Sequence, residues 1–213
     1  MFKKKPFFIV FEGVEGCGKS YQSKKLFQNL KKKKIKVNLT REPGGTKSSE
    51  LIRSLILKDY FSKDKKEKFD KYTDTLLYLA ARNEHVKNRI LPILKKKEVI
   101  ICDRFVDSTL AYQVYGKKVN KRFIDQIHKF ILHGVKPNIT FILKVSSRSS
   151  NLRLKKRKTK NRYDNFSKIF YRRVQNSFLK IAKNKKNYYV LDSSYNDNQL
   201  EKKIYNIVSK FLK

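Results

Sequence analysis

The 213-residue sequence has no tryptophan, one methionine, two cysteines, four prolines and seven glycines, and its 18 acidic residues stand against 53 Lys and Arg. Each shortage removes a class of explanation. Cys17 and Cys102 form no CxxC pair and no metal-ligand spacing, so a disulfide-stapled or zinc-built domain is excluded. A reducing compartment with two structural thiols is expected instead. No apolar run approaches the roughly 18 residues of a membrane span, and the basic Met1–Lys5 stretch leads only into Pro6–Phe11, too short for a signal-peptide core. The expectation is a cytoplasmic protein without a membrane role. Scarce proline and glycine leave no linker, no repeat is visible, and the length suits a single domain over 1–213.

Positive charge is abundant: the formal net charge is +35. The chain should fold despite it, because Leu, Ile, Val and Phe make up about three residues in ten, above the roughly one in five below which a charged chain cannot collapse. A strongly basic protein suggests nucleic acid, since neutralised phosphates release counterions. The alternative is codon composition. Lys is far commoner than Arg, and Lys, Asn, Ile, Phe and Tyr, all with A/T-rich codons, dominate the chain. The Lys runs at 31–34, 63–68, 95–97, 155–160 and 183–186 fall mostly at the ends of helical stretches, where cations suit the helix dipole. No specific nucleic-acid partner is therefore expected.

Phe7–Phe11 is a short apolar run meeting Gly13, which reads as a buried strand feeding a turn. Leu26, Phe27 and Leu30 share one face of a helix beginning at Lys19, and Ile35–Leu39 reads as the next strand. Further strands are expected at Val99–Cys102, Ile139–Val145 and Tyr188–Leu191. Helices are expected at Ser48–Leu57, Thr73–Leu94, Ser108–Val114, Arg122–Leu132, Ser149–Lys156, Phe166–Ala182 and Asn198–Leu212. This alternation predicts an α/β fold with a mostly parallel sheet covered on both faces.

Gly13-Val14-Glu15-Gly16-Cys17-Gly18-Lys19-Ser20 satisfies G-x-x-x-x-G-K-[ST] between a strand and a helix. Backbone N–H groups of such a loop close around the phosphates of a nucleotide. Lys19 would reach the β and γ phosphates, and the Ser20 hydroxyl would ligate Mg²⁺. At the end of the Val99–Cys102 strand, Asp103 could hold Mg²⁺ directly or through water and Arg104 could clamp a phosphate; a mutual ion pair capping the strand is the plainer account. The guanine-reading N-K-x-D is absent, since Asn184-Lys185-Lys186-Asn187 lacks the final Asp. Arg104 stands where a hydrolytic motor commonly carries Glu. A transferase, which must exclude water and hold an acceptor phosphate with cations, suits the residues better. Tyr78 and Arg82, four apart on a helix, offer an aromatic plate for a base and a donor for its carbonyl.

Together the Gly13–Ser20 loop, Thr40-Arg-Glu-Pro-Gly-Gly-Thr46, Ala81-Arg82 and Asp103-Arg104-Phe-Val-Asp-Ser-Thr-Leu-Ala-Tyr-Gln113 resemble the bacterial thymidylate kinases. The similarity runs through Lys136–Thr140 and Asn161–Asp164 to the tail. The resemblance implies a P-loop nucleoside monophosphate kinase fold with a five-stranded parallel sheet, helices on both faces and a mobile lid at about 148–165. It also implies phosphoryl transfer from MgATP to dTMP, giving dTDP and ADP, in a homodimer. By matched positions, Glu15 meets the sugar 3′-hydroxyl, Tyr78 stacks on thymine where the family usually has Phe, and Arg82 bonds O4. Thr109 and Gln113 line the base site, while Arg104, Arg53 and Arg41 hold the acceptor phosphate. The loop carries no arginine, so the catalytic one is expected from the lid, as Arg157 or Arg162. Asn161, Asn138 and Lys144 depart from the family's usual acidic residues, which puts details of lid anchoring in doubt. Another nucleoside or nucleoside monophosphate kinase of the same fold, or a P-loop nucleic-acid-binding ATPase, are the rival readings.

Overall fold

The computed structural model describes residues 5–58, 68–156, 167–194 and 198–212. Strand β1 (Phe7–Glu12) is buried along its whole length, as a central parallel strand must be. It pairs with β3 (Val99–Asp103) on one side and β4 (Ile139–Lys144) on the other. β2 (Val37–Arg41) lies outside β3, and β5 (Tyr188–Asp192) outside β4. All four pairings are parallel, in the order β2-β3-β1-β4-β5.

The two faces of β1 enter different cores. Phe7, Ile9 and Phe11 join Leu26 and Leu30 of α1 (Lys19–Lys32), Val174 and Phe178 of α8 (Lys168–Ala182), and Ile204 and Val208 of α9 (Asn198–Leu212). Phe8 and Val10 join Val86, Ile90 and Phe105 on the other side. Phe11 stacks on Phe141 at 5.1 Å, and Phe8 meets Phe105 edge-on at 5.0 Å. Helices thus cover both faces. Among the described residues no helix is long and apolar enough to cross a membrane.

Other expected elements form with small shifts. β2 runs two residues later than the Ile35–Leu39 expectation, which brings Arg41 level with Asp103 at the sheet's C-terminal edge. α2 spans Lys47–Leu57 behind the Thr46 cap, whose hydroxyl accepts from the Ser49 N–H. The expected single helix 73–94 is α3 (Lys71–His85), a π-turn over Val86–Ile90, and α4 (Leu91–Lys95) with Pro92 in its first turn. The expected helix 108–114 is a short α5 (Val106–Thr109) running into a π-turn over Leu110–Gly116. α6 (Lys121–Ile131) and α7 (Ser147–Lys155) stand close to the expected ranges, whereas the start of the helix expected from Phe166 lies outside the described residues. Asn138, one of the departures, anchors β1 by accepting from the Phe8 N–H at 2.7 Å.

Candidate active site

At the C-terminal edge of the sheet, where the strand order reverses about β1 and β3, a cavity of about 590 Å³ opens. The end of β1 delivers the Gly13–Ser20 loop. Gly13 (φ 140) must be glycine, because a Cβ there would stand 2.6 Å from the Leu143 carbonyl oxygen. Gly18 (φ 89) turns the chain directly into α1, and no side chain caps that helix. Its first N–H groups therefore stay available for an anion, with the positive end of the helix behind them. Glu15, Gly16, Gly18, Lys19 and Ser20 line the cavity, whereas Gly13, Val14 and Cys17 do not and contribute through the backbone path. Lys19 is buried and folded back, donating to the Val14 carbonyl at 2.8 Å and to the Cys17 sulfur at 3.5 Å. Burial pushes the Cys17 thiol up against the opposing effect of Lys19 and Arg104, so it stays a neutral wall of the loop.

Ser20 Oγ donates to Asp103 Oδ2 at 2.5 Å. Two residues 83 apart in sequence thus meet at the cavity floor as a pair of hard oxygen donors, the chemistry Mg²⁺ selects. The plainer account of Asp103, an ion pair with Arg104, is not the contact made. Arg104 instead turns through a left-handed backbone (φ 74) and donates to the Gly13 carbonyl and Glu15 Oε1, both at 2.8 Å, and to Ser108 Oγ at 3.1 Å. Its guanidinium lies 5.2 Å from the centre of the Tyr112 ring, and the Tyr112 hydroxyl donates to Glu15 Oε2. Burial would lower the Arg104 pKa, but Tyr112, Glu15, Asp103 and Glu12 outweigh it, so the cation is locked on.

The other expected arginines enter from three elements. Arg41, at the end of β2, makes a two-pronged contact with Glu50 at 3.0 and 3.1 Å, and Glu50 also accepts from the Gly45 N–H at 2.9 Å. Burial would raise the Glu50 carboxyl, yet the Gly45 N–H, Arg41 and Arg53 hold it below the ordinary range. Arg53 donates to the Pro43 carbonyl, and burial and Arg41 lower its pKa; it reaches the same wall as Tyr78 of α3. Arg82 lies deepest. Its Nε donates to Glu42 at 2.8 Å, Nη1 to Thr109 Oγ1 at 2.7 Å and to His128 Nε2 at 2.9 Å, and Nη2 to the Phe105 carbonyl at 2.9 Å. Four of its five N–H donors are thus assigned to protein, and the fifth has no partner among the described residues. Burial, Arg82 and Lys121 push His128 down to about 3, so its ring is neutral and can accept. Gln113 also lines the cavity, and its buried Nε2 has no hydrogen-bond partner among the described residues. Arg157 and Arg162 lie outside the described residues.

Several residues that brace this candidate site escaped sequence reasoning. Glu42, preceding a cis peptide to Pro43, accepts from both Arg82 and, at 3.0 Å, His85 Nδ1. Glu50, Ser108, Tyr112 and His128 each orient an arginine. Arg153 of α7 donates to the Gly16 carbonyl at 3.1 Å and the Ser193 carbonyl at 2.7 Å, joining the loop to the end of β5. Glu12 carried a usable signal: an acidic residue ending a fully apolar strand is rarely buried without a partner.

Comparison with known proteins gives one consistent family. The Thymidylate kinase family model matches residues 11–204. A thymidylate kinase of Aster yellows witches'-broom phytoplasma is 38% identical over 210 residues, 97% of this chain and 96% of its own length. One from Wolbachia pipientis subsp. Culex pipiens is 42% identical over 178 residues, 82% of this chain and 80% of its own. Among solved structures, the thymidylate kinase of Ehrlichia chaffeensis superposes with a TM-score of 0.75 at 34% identity, covering 96% of this chain and 99% of that one.

Proposed function

The chain belongs to the thymidylate kinase family, a family of nucleoside monophosphate kinases that convert dTMP to dTDP, and we propose that the cavity at the C-terminal edge of its sheet carries the γ-phosphoryl group of MgATP onto a dTMP held among Arg41, Arg53, Arg82 and Arg104. The observation that carries this reading is the convergence of a phosphate loop, the paired Ser20 and Asp103 oxygens and the arginines Arg41, Arg53, Arg82, Arg104 and Arg153 on one cavity.

The loop N–H groups and the uncapped start of α1 take the donor phosphates, and Lys19 leaves the Val14 carbonyl to reach them. Ser20 and Asp103 would hold Mg²⁺, which offsets the charge on the donor phosphates and needs further oxygens from them and from water. Arg104, Arg53 and Arg41 hold the acceptor phosphate so that one of its oxygens can attack the γ-phosphorus as ADP leaves; positioning and charge neutralisation are the protein's contribution. Tyr78 stacks on thymine, the fifth N–H of Arg82 and the Gln113 amide, which has no partner among the described residues, face base or sugar, and Thr109 lines the base site while accepting from Arg82. Glu15 takes the sugar hydroxyl. Arg157 or Arg162, in a lid at about 148–165, supplies the catalytic guanidinium and shields the transferred group from water.

The reading includes one domain over 1–213, a cytoplasmic location and a homodimer. Two free, buried cysteines suit a reducing compartment. Leu51, Leu55 and Leu76, exposed on the packed pair α2 and α3, suit a second copy of the chain. The test is ADP release coupled to an indicator reaction across dTMP, dUMP, dCMP, AMP and thymidine. Fastest turnover with dTMP is expected. Faster turnover of dCMP, AMP or thymidine, or hydrolysis stimulated by nucleic acid without transfer to dTMP, overturns the reading.

A further inference from the structure

We propose that Glu12 is a positioning residue for the acceptor-phosphate arginine: it clamps the turn after β3 and, through Ser108, fixes where Arg104 points. The inference rests on the acceptor role of Arg104 given above. Glu12 is wholly buried at the end of β1. Its Oε1 accepts from the Phe105 N–H at 2.8 Å and the Ser108 N–H at 3.2 Å, and its Oε2 accepts from Ser108 Oγ at 2.5 Å. Ser108 Oγ in turn accepts from Arg104 Nη1 at 3.1 Å. The segment so held begins with Arg104 in a left-handed backbone, a costly conformation for a residue with a Cβ, which persists only where its surroundings determine it. Three hydrogen bonds to one carboxyl supply that determination.

The placement also links the two substrate sites. Glu12 immediately precedes Gly13, so one residue ties the start of the donor-phosphate loop to the turn bearing the acceptor arginine. The two substrates' sites are thereby referenced to the same strand end. Around the carboxyl stand Asp107 and Ser108 of α5, Arg104 of the turn, Cys102 of β3, and Tyr188 of β5, whose hydroxyl donates to Asp107 at 2.7 Å. Burial and Asp107 raise the Glu12 pKa to about 8, against Ser108, Arg104 and the Phe105 N–H. Once ionised it accepts all three donors. Protonated, it must give a hydrogen to Ser108 Oγ and loses that acceptance, so the clamp is tighter above pH 8.

Glu12→Gln keeps the shape and mimics the protonated form. The KM for dTMP of the wild type is expected to fall between pH 7 and pH 9, while that of Glu12→Gln stays flat, opening a gap of about tenfold at pH 9, the scale of one hydrogen bond to a charged group. The KM for ATP should be unchanged in both. Ser108→Ala, which removes the relay but not the carboxyl, should raise the dTMP KM at both pH values and abolish its pH dependence. A merely structural role would lower the melting temperature and shift neither the split between the two KM values nor the pH profile. Wild-type dTMP KM values at pH 7 and 9 in folded Glu12→Gln and Ser108→Ala overturn the inference, as does a retained pH step in Glu12→Gln. Arg104→Ala is measured beside them. If it leaves dTMP use intact, the acceptor role of Arg104 falls and the inference with it; if it is damaged while Glu12→Gln matches wild type, the inference falls alone.

Discussion

Replacing Arg82 by Met should cost stability as well as substrate binding, and the two losses can be separated. The Arg82 and Glu42 side chains are 3% and 4% exposed and meet at 2.8 Å. Methionine fills much of the same volume but leaves a buried carboxylate whose remaining side-chain partner is His85. Breaking one side of a buried pair costs about 3–5 kcal/mol, because the surviving charge keeps its desolvation penalty. For a chain of this size that corresponds to a fall in Tm of roughly 6–20 °C. Glu42→Gln alone should also destabilise, whereas the double variant should recover part of the loss, with an interaction energy of about 1–3 kcal/mol. Acid adds an independent check. Burial would raise the Glu42 carboxyl, but Arg82 and His85 hold it below its ordinary 4.5. A depressed folded-state pKa contributes stability that is present above the unfolded value and lost as pH falls through the folded one. The wild type should therefore lose stability below about pH 4.5, and Glu42→Gln should lose less. Urea unfolding of the four proteins at pH 7 and at acid pH, followed by circular dichroism with fixed m-value, measures both effects. Additive single-variant losses, or a cost below about 1 kcal/mol for Arg82→Met, would refute the buried-pair reasoning.

Two further outcomes test the site directly. Lys19→Ala should leave the melting temperature near wild type and reduce kcat by two or more orders of magnitude, since among the described residues Lys19 Nζ donates to one carbonyl and one thiol and its proposed task is on the donor phosphates; near-normal turnover in the folded variant would remove the loop from the mechanism. Between Arg157→Ala and Arg162→Ala, one should lower kcat by about 10³-fold or more with little change in either KM, and two neutral results in single-turnover assays would exclude the lid arginines.

Much of this architecture was legible because its signals are local. Phe7–Phe11 followed by Gly13 and a G-K-S helix start has few alternatives, since buried parallel strands and left-handed turns leave short, position-specific traces. The strand ends carrying Asp103 and Arg104 were equally readable. The π-turns at 86–90 and 110–116 were not, because a one-residue widening of a helix leaves the apolar spacing almost unchanged. Glu42, His85 and His128 looked unremarkable for a different reason: each acts by accepting from or bracing the bracket around Arg82, across sequence separations of 40 residues or more.

Sequence alone thus determined the fold class, the phosphate loop and the family, each encoded in contiguous residues whose chemistry does not depend on distant neighbours. Tertiary structure decided which arginine meets which partner. It set Ser20 against Asp103, Arg41 against Glu50, Arg104 between Glu15 and Ser108, and Glu12 beneath the turn. The physical reason is that a buried charge is stable only where the fold brings it oppositely charged or hydrogen-bonding groups, and those come from other strands and helices. The +35 charge divides on the same line: lysine dominates the composition, while the fold gathers Arg41, Arg53, Arg82 and Arg104 on one cavity.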